Sequence, residues 1–118
     1  MAADYFVSDV RSLARFTPDQ VTKADCFRSE RLFAGINGLA KGQSQELHTH
    51  DRADKFYLVL SGRVRIVVGT EERELSAGAM AWAPAGIAHG IEEALEDSVV
   101  LVVMSPPPGG GKSAKGKE

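Results

Sequence analysis

From residue 26 onward the chain is cut into short β-branched or aromatic segments, punctuated by single glycines, prolines and polar turns. The expected strands are 26–34, 38–40, 45–50, 55–60, 64–68, 73–75, 79–83, 90–92 and 98–104. Turns fall at 51–54, Ser61-Gly62, Gly69-Thr70, 76–78 and 84–86. Turn signals recurring every 8–12 residues or so, between short runs of strand formers, point to an all-β sandwich or barrel. No helical period alternates with these strands, so a βαβ architecture is excluded.

The ends differ from this middle. Residues 1–25 read as a peripheral segment. Ser8 is a helix N-cap candidate, with Val10, Leu13 and Ala14 on one face of a short helix reaching Phe16. Thr17-Pro18-Asp19 then breaks it. Residues 105–118, SPPPGGGKSAKGKE, lack large apolar side chains and read as a disordered tail. The string Gly111-Lys112-Ser113 mimics the end of a phosphate-binding loop. The motif's first glycine would fall on Pro106, and only five residues follow Ser113, too few for the helix the motif requires. The domain reading is therefore a peripheral segment at 1–25, a β-barrel at 26–104 and a tail at 105–118.

Charge and cysteine content narrow the function classes. The 118 residues carry 14 basic and 16 acidic side chains. The tail holds three lysines against one glutamate, which leaves residues 1–104 at a net charge of −4. An acidic body is a poor nucleic-acid surface, because phosphate binding needs clustered Lys and Arg. The first twenty residues contain no apolar core of a secretory signal. The longest aliphatic run, 99–104, is too short to cross a bilayer. The single cysteine, Cys26, excludes an internal disulfide and reads as an inert thiol in an alternating strand. A cytoplasmic protein without nucleic-acid or membrane partners is expected.

The chain has three histidines, which allow at most one metal site. His48 and His50 are two apart in a strand-like segment, so both point to one face, about 6.7 Å apart at the backbone. Two imidazoles at that spacing can turn onto one ion. From this pair alone two readings stay open, a shared ion or two solvated histidines on an exposed strand.

The flanking residues add a pattern. The first stretch is Gly42-(5)-His48-x-His50-(4)-Lys55-(6)-Gly62, and the second is Gly78-(5)-Pro84-x-Gly86-(2)-His89. Together they resemble the two motifs of the cupin superfamily, with the short intermotif stretch of a small single-domain member. The resemblance implies a double-stranded β-helix, or jelly-roll, barrel. It implies that His48, His50 and His89 face its cavity and hold one divalent ion, with Fe, Mn, Ni, Zn and Cu all open. It also implies a homodimer and a small-molecule ligand. It does not single out an activity.

One position departs from the pattern. Where metal-binding cupins carry a ligating Glu, this chain has Lys55. Across the four-residue turn 51–54, Lys55 is expected to face His50 on the inward side of a hairpin. Three arrangements stay open: a neutral lysine beside the ion, a lysine held away by an acid, or a pocket without metal. Glu46, on the face of His48 and His50, is the expected counter-charge and an alternative ligand. Asp54 is expected to face outward. Tyr57 shares the inward face with Lys55, and these two are the candidate catalytic residues. Met80 and Trp82, on one face of a strand, are expected in the core or the cavity. The family's motif ends in Asn where this chain has Glu93, expected as a solvated acid.

Two readings of function follow. One is a metal-dependent enzyme, a dioxygenase or an isomerase or lyase, acting on a small molecule. The other is a non-catalytic or metal-free pocket that binds a small anion through Lys55.

Overall fold

The computed structural model describes residues 5–109. Nine antiparallel strands form two sheets: β1 (Thr22–Arg28), β2 (Phe33–Leu39), β3 (Gln45–His48), β4 (Asp54–Ser61), β5 (Arg63–Val68), β6 (Glu71–Ser76), β7 (Met80–Ala83), β8 (His89–Ala94) and β9 (Ser98–Ser105). A five-stranded sheet runs β1-β2-β9-β4-β7, and a four-stranded sheet runs β3-β8-β5-β6. This is the all-β two-sheet arrangement expected from the turn spacing, in the jelly-roll form that the resemblance implies.

Alternation along the strands builds the core. On β4, Lys55, Tyr57 and Val59 point inward. On β9, Val100, Val102 and Met104 are their cross-strand partners on the same face. Tyr57, Val59, Val100 and Val102 meet Val64 and Ile66 of β5 and Ile91 and Ala94 of β8 in one cluster. Each fully buried aliphatic side chain there contributes about 1.5–3 kcal/mol.

The sequence reading places most strands to within a residue or two, with three corrections. The expected strand at 26–34 is two strands, β1 and β2, joined by a turn in which Ser29 Oγ accepts from the backbone N–H groups of Arg31 and Leu32. The separate segment at 38–40 is the end of β2. The expected helix is only a single 3-10 turn, Val10–Leu13, capped by the Asp9 side chain and followed by extended backbone at Ala14. It buries no residue, so no packed apolar face extends it into an α-helix.

The ends are more involved in the fold than their composition suggests. Arg15 O accepts from Thr22 Oγ1, and Thr17 O accepts from Gln43 Nε2 in the β2–β3 connection. These bonds hold the segment before β1 against the barrel. At the other end, Ser105 completes β9 opposite Asp54 and donates to Arg31 O, and Pro107 and Pro108 are buried. The packed body thus reaches past Met104. The rest of the expected tail, residues 110–118, lies outside the described residues.

Gly62 shows how strictly one turn is set. Its φ is +85°, and a Cβ there would strike Ser98 Oγ, the Asp97 carbonyl and Ser98 Cα. Gly42 also has positive φ, at +92°, but a Cβ there meets nothing within 4 Å. Gly62→Ala is therefore expected to cost about 3 kcal/mol, backbone strain plus displacement of the β9 entry, and Gly42→Ala only about 1 kcal/mol. Urea unfolding of both variants measures the difference. Equal losses would mean that backbone strain alone explains Gly62.

Candidate metal centre

His48 lies at the end of β3 and His89 at the start of β8, directly opposite each other in the antiparallel pair. His50 follows β3, and its carbonyl accepts from the Gly86 N–H at 2.9 Å. The next bend is tied the same way, because Asp54 Oδ1 accepts from the Ala85 N–H at 3.0 Å. The Pro84–Gly86 turn thus clamps the loop that carries His50 beside the strand pair that carries the other two. Asp54 faces outward as expected and is used for this clamp.

The three imidazoles converge. Ring centroids are 4.7 Å apart for His48 and His50, 4.6 Å for His48 and His89, and 5.3 Å for His50 and His89. One nitrogen from each lies within 4.8 Å of the others. Two rings are oriented by the backbone. His48 Nδ1 is 2.8 Å from Glu46 O, and His89 Nδ1 is 2.9 Å from Ile87 O. A carbonyl only accepts, so each Nδ1 carries the proton and each Nε2 presents its lone pair. The Nε2 atoms of all three rings are buried, and that of His89 makes no hydrogen bond among the described residues. A buried lone pair without a donor is costly, and a metal ion is what it accommodates. Burial, the largest cause, lowers the His89 imidazole to about 4. The Ile87 hydrogen bond opposes this shift, and the charges of Lys55 and His48 add to it. At neutral pH His89 is a neutral nitrogen donor. The donor set fits one divalent ion, and neither Glu46 nor Asp54 joins it.

A cavity of about 720 Å³ opens beside two of these histidines, His48 and His50, and is lined also by Lys55, Gln45, Glu46 and Lys23. Its other wall is the segment from Pro18 to Val21, which the sequence reading treats as peripheral. No local sequence signal marks this wall, because what ties it down is the distant Gln43, whose side chain bridges Thr17 O and the Ala40 N–H. Asn37, only 4% exposed, donates through Nδ2 to Gln45 Oε1 at 3.4 Å and links the two sheets.

Lys55 is inward and 3% exposed, as expected, but not by the expected route. It does not pair with His50 across a hairpin. β3 pairs with β8, whereas β4 pairs with β7 and β9, so the 49–53 connection crosses between sheets. Lys55 instead stands opposite Ala83 and Met104. Its Nζ lies 4.9 Å from the centre of the Tyr57 ring, and that ring lies 6.2 Å from the His89 ring. Tyr57 is fully buried in the core, behind the cavity wall.

Glu46 also departs from the simple alternation. A register shift between Gln45 and His48 breaks the period, leaving Gln45 half-buried while Glu46 and Leu47 are exposed. Gly90 makes this bulge fit, because a Cβ there would come within 2.9 Å of Gln45 O, Glu46 O and Leu47 Cα. The sequence reading did not single out Gly90, though a glycine directly after a ligand histidine is a signal for close strand approach.

Other expectations are corrected. Met80 and Trp82 are each 58% exposed rather than buried. On edge strand β7 the inward residues are Ala81 and Ala83, paired with Tyr57 and Lys55, so Met80 and Trp82 take the outer face. Glu93 is half-buried and bonded to Arg65 at 3.2 Å, within a network in which Arg63 and Arg65 meet Glu72, Glu74, Glu93 and Glu96. Cys26 is half-buried on β1, and burial first, then Asp25, raises its thiol pKa, which keeps it protonated and unreactive.

Comparison with known proteins agrees with this architecture. A family model described as the Cupin domain matches residues 36–105. An uncharacterized protein of Streptomyces coelicolor is 38% identical over 78 residues, spanning 66% of this chain and 73% of that protein. The crystal structure of TT1209 from Thermus thermophilus matches with a TM-score of 0.81 and 40% identity, over 86% of this chain and 98% of that one. KdgF from a Halomonas species matches with a TM-score of 0.72 and 29% identity, over 75% and 82% of the two chains.

Proposed function

The chain belongs to the cupin superfamily, and from that we propose that it holds one divalent metal ion through His48, His50 and His89 and acts as an enzyme on a small molecule in the adjoining cavity. The observation that carries this reading is the convergence of three buried Nε2 atoms, two of them on rings locked by backbone carbonyls. Three nitrogen donors would suit Fe, Mn, Ni, Zn or Cu, and two of them, His48 and His50, line the cavity. When bound, the ion supplies Lewis-acid polarisation or, if redox-active, dioxygen chemistry. The reaction class is then a dioxygenase or an isomerase or lyase.

The chain's own residues divide the remaining work. Lys55 presents an ammonium at the cavity wall, suited to bind a substrate oxygen and stabilise negative charge that develops there. Tyr57 supports it from behind, with its ring beneath Nζ, and acts as a positioning residue. The Asn37–Gln45 bridge joins the sheets beside the cavity. The reading extends to a cytoplasmic homodimer, supported by the single cysteine and by the exposed Met80 and Trp82 on edge strand β7.

A second reading is a metal-free pocket that binds a small anion. The buried Lys55 beside the triad favours it, because its ammonium supplies positive charge without an ion. Thermal unfolding separates the two. An ion held at 100 times its dissociation constant stabilises by about 2.7 kcal/mol, which raises Tm by about 10 °C or more for a domain of this size. That rise is expected with at least one of Fe²⁺, Mn²⁺, Ni²⁺, Zn²⁺ or Cu²⁺ relative to a chelator. If none of them shifts Tm, the metal reading fails and the anion reading stands.

A further inference from the structure

Charge around the triad constrains what can share the cavity with an ion. The three histidines bind an ion in their neutral form and contribute no negative charge. The cavity walls carry Lys23 and Lys55 against Asp19 and Glu46, so the walls balance. Lys23, Asp19 and Glu46 are exposed, whereas Lys55 is 3% exposed and lines the same cavity as His48 and His50. A divalent ion added to this set brings two positive charges that no wall residue offsets, beside a buried cation of the same sign. Like charges in such a place destabilise one another unless an anion enters with them.

We infer that the metal ion and a carboxylate-bearing small molecule bind cooperatively, with the carboxylate taken up between the histidine triad and the Lys55 ammonium. The inference rests on the proposed metal site and names its ligand class. A two-oxygen anion suits the cavity, because one oxygen can meet the ion and the other the Lys55 ammonium, and among the described residues the lining has no arginine to hold the further oxygens of a phosphate. The coupling is reciprocal: the anion raises metal affinity by the same factor as the metal raises anion affinity. Metal binding is then weaker without a carboxylate than with one, and Lys55 is the cause.

The test titrates the full chain with Co²⁺ in acetate, in phosphate and in perchlorate at equal ionic strength, corrected for association of Co²⁺ with each anion. Acetate is expected to lower the Co²⁺ dissociation constant of the wild type by about tenfold or more, and phosphate by less. Lys55→Met is expected to bind Co²⁺ more tightly than the wild type in perchlorate and to lose the acetate effect. One Co²⁺ bound equally well in all three salts overturns the coupling while leaving the metal site standing. So does an acetate effect that survives in Lys55→Met. A larger effect of phosphate than of acetate overturns the carboxylate assignment. No Co²⁺ bound in any salt overturns the metal site itself and the coupling with it. If Lys55→Met does not fold, the three wild-type titrations still decide.

Discussion

Lys55→Glu is expected to tighten divalent-metal binding by about a hundredfold or more, because it removes a cation and adds a carboxylate at the edge of the triad. The position has the required placement. Residue 55 points inward from β4, lines the same cavity as His48 and His50, and is 3% exposed. Burial chiefly disfavours protonation of His89 and the Lys55 charge adds to it, and that same positive charge disfavours a divalent ion nearby. Reversing that charge changes the sign of the interaction rather than merely removing it. The Glu side chain reaches one bond less far than Lys, and its cross-strand neighbours Ala83 and Met104 supply no cation. The apoprotein is therefore expected to melt lower than the wild type, since a buried carboxylate without a partner is costly. The metal-loaded variant is expected to recover that loss. Competition with a chromophoric chelator measures the affinity, and melting with and without ion measures the recovery. A variant that binds metal no better than the wild type would place residue 55 outside the reach of the ion.

Most of the fold was legible in the sequence for a local reason. Strands β4 to β9 are bounded by turn residues, and Gly62, Gly69, Gly78 and Gly86 all take positive φ, which glycine tolerates and other residues resist. Where local signals were missing, the reading blurred. Nothing in the run from Cys26 to Ala34 resembles the glycine turns, because the β1–β2 reversal is stabilised by the Ser29 hydroxyl instead. The segment before β1 looked dispensable because its ties are long-range, from Gln43 to Thr17 and from Thr22 to Arg15. No window-based reading finds such bonds.

The site was legible in its ligands and less so in its surroundings. His48, His50 and His89 come together as the resemblance implied. The partners proposed for Lys55 were inferred from alternation, and alternation fails at two places. A register shift in β3 turns Glu46 outward, and the crossover at 49–53 sends β4 into the other sheet. Both depend on strand pairing, which a single sequence does not encode locally. The outward Met80 and Trp82 were misplaced for a related reason. The strand's apolar character is on the large residues, but its edge position gives the inner face to the two alanines.

Loss of any one imidazole is the other large effect expected. With three neutral donors and no protein carboxylate in the set, each nitrogen carries about a third of the binding, and removing one is expected to weaken metal affinity by about a thousandfold or more. His89 is the most demanding case. It is 1% exposed, its Nδ1 is held by Ile87 O, and its Nε2 has no hydrogen-bond partner among the described residues. The decisive measurement is the metal content of the purified full chain by elemental analysis. The wild type and His48→Ala, His50→Ala and His89→Ala are each loaded with the same ion and dialysed, with a melting curve to show that each is folded. One ion per wild-type chain, and less than a tenth of that in each folded variant, is the result expected of a three-histidine centre. Equal metal content in the wild type and a folded His89→Ala chain would contradict it.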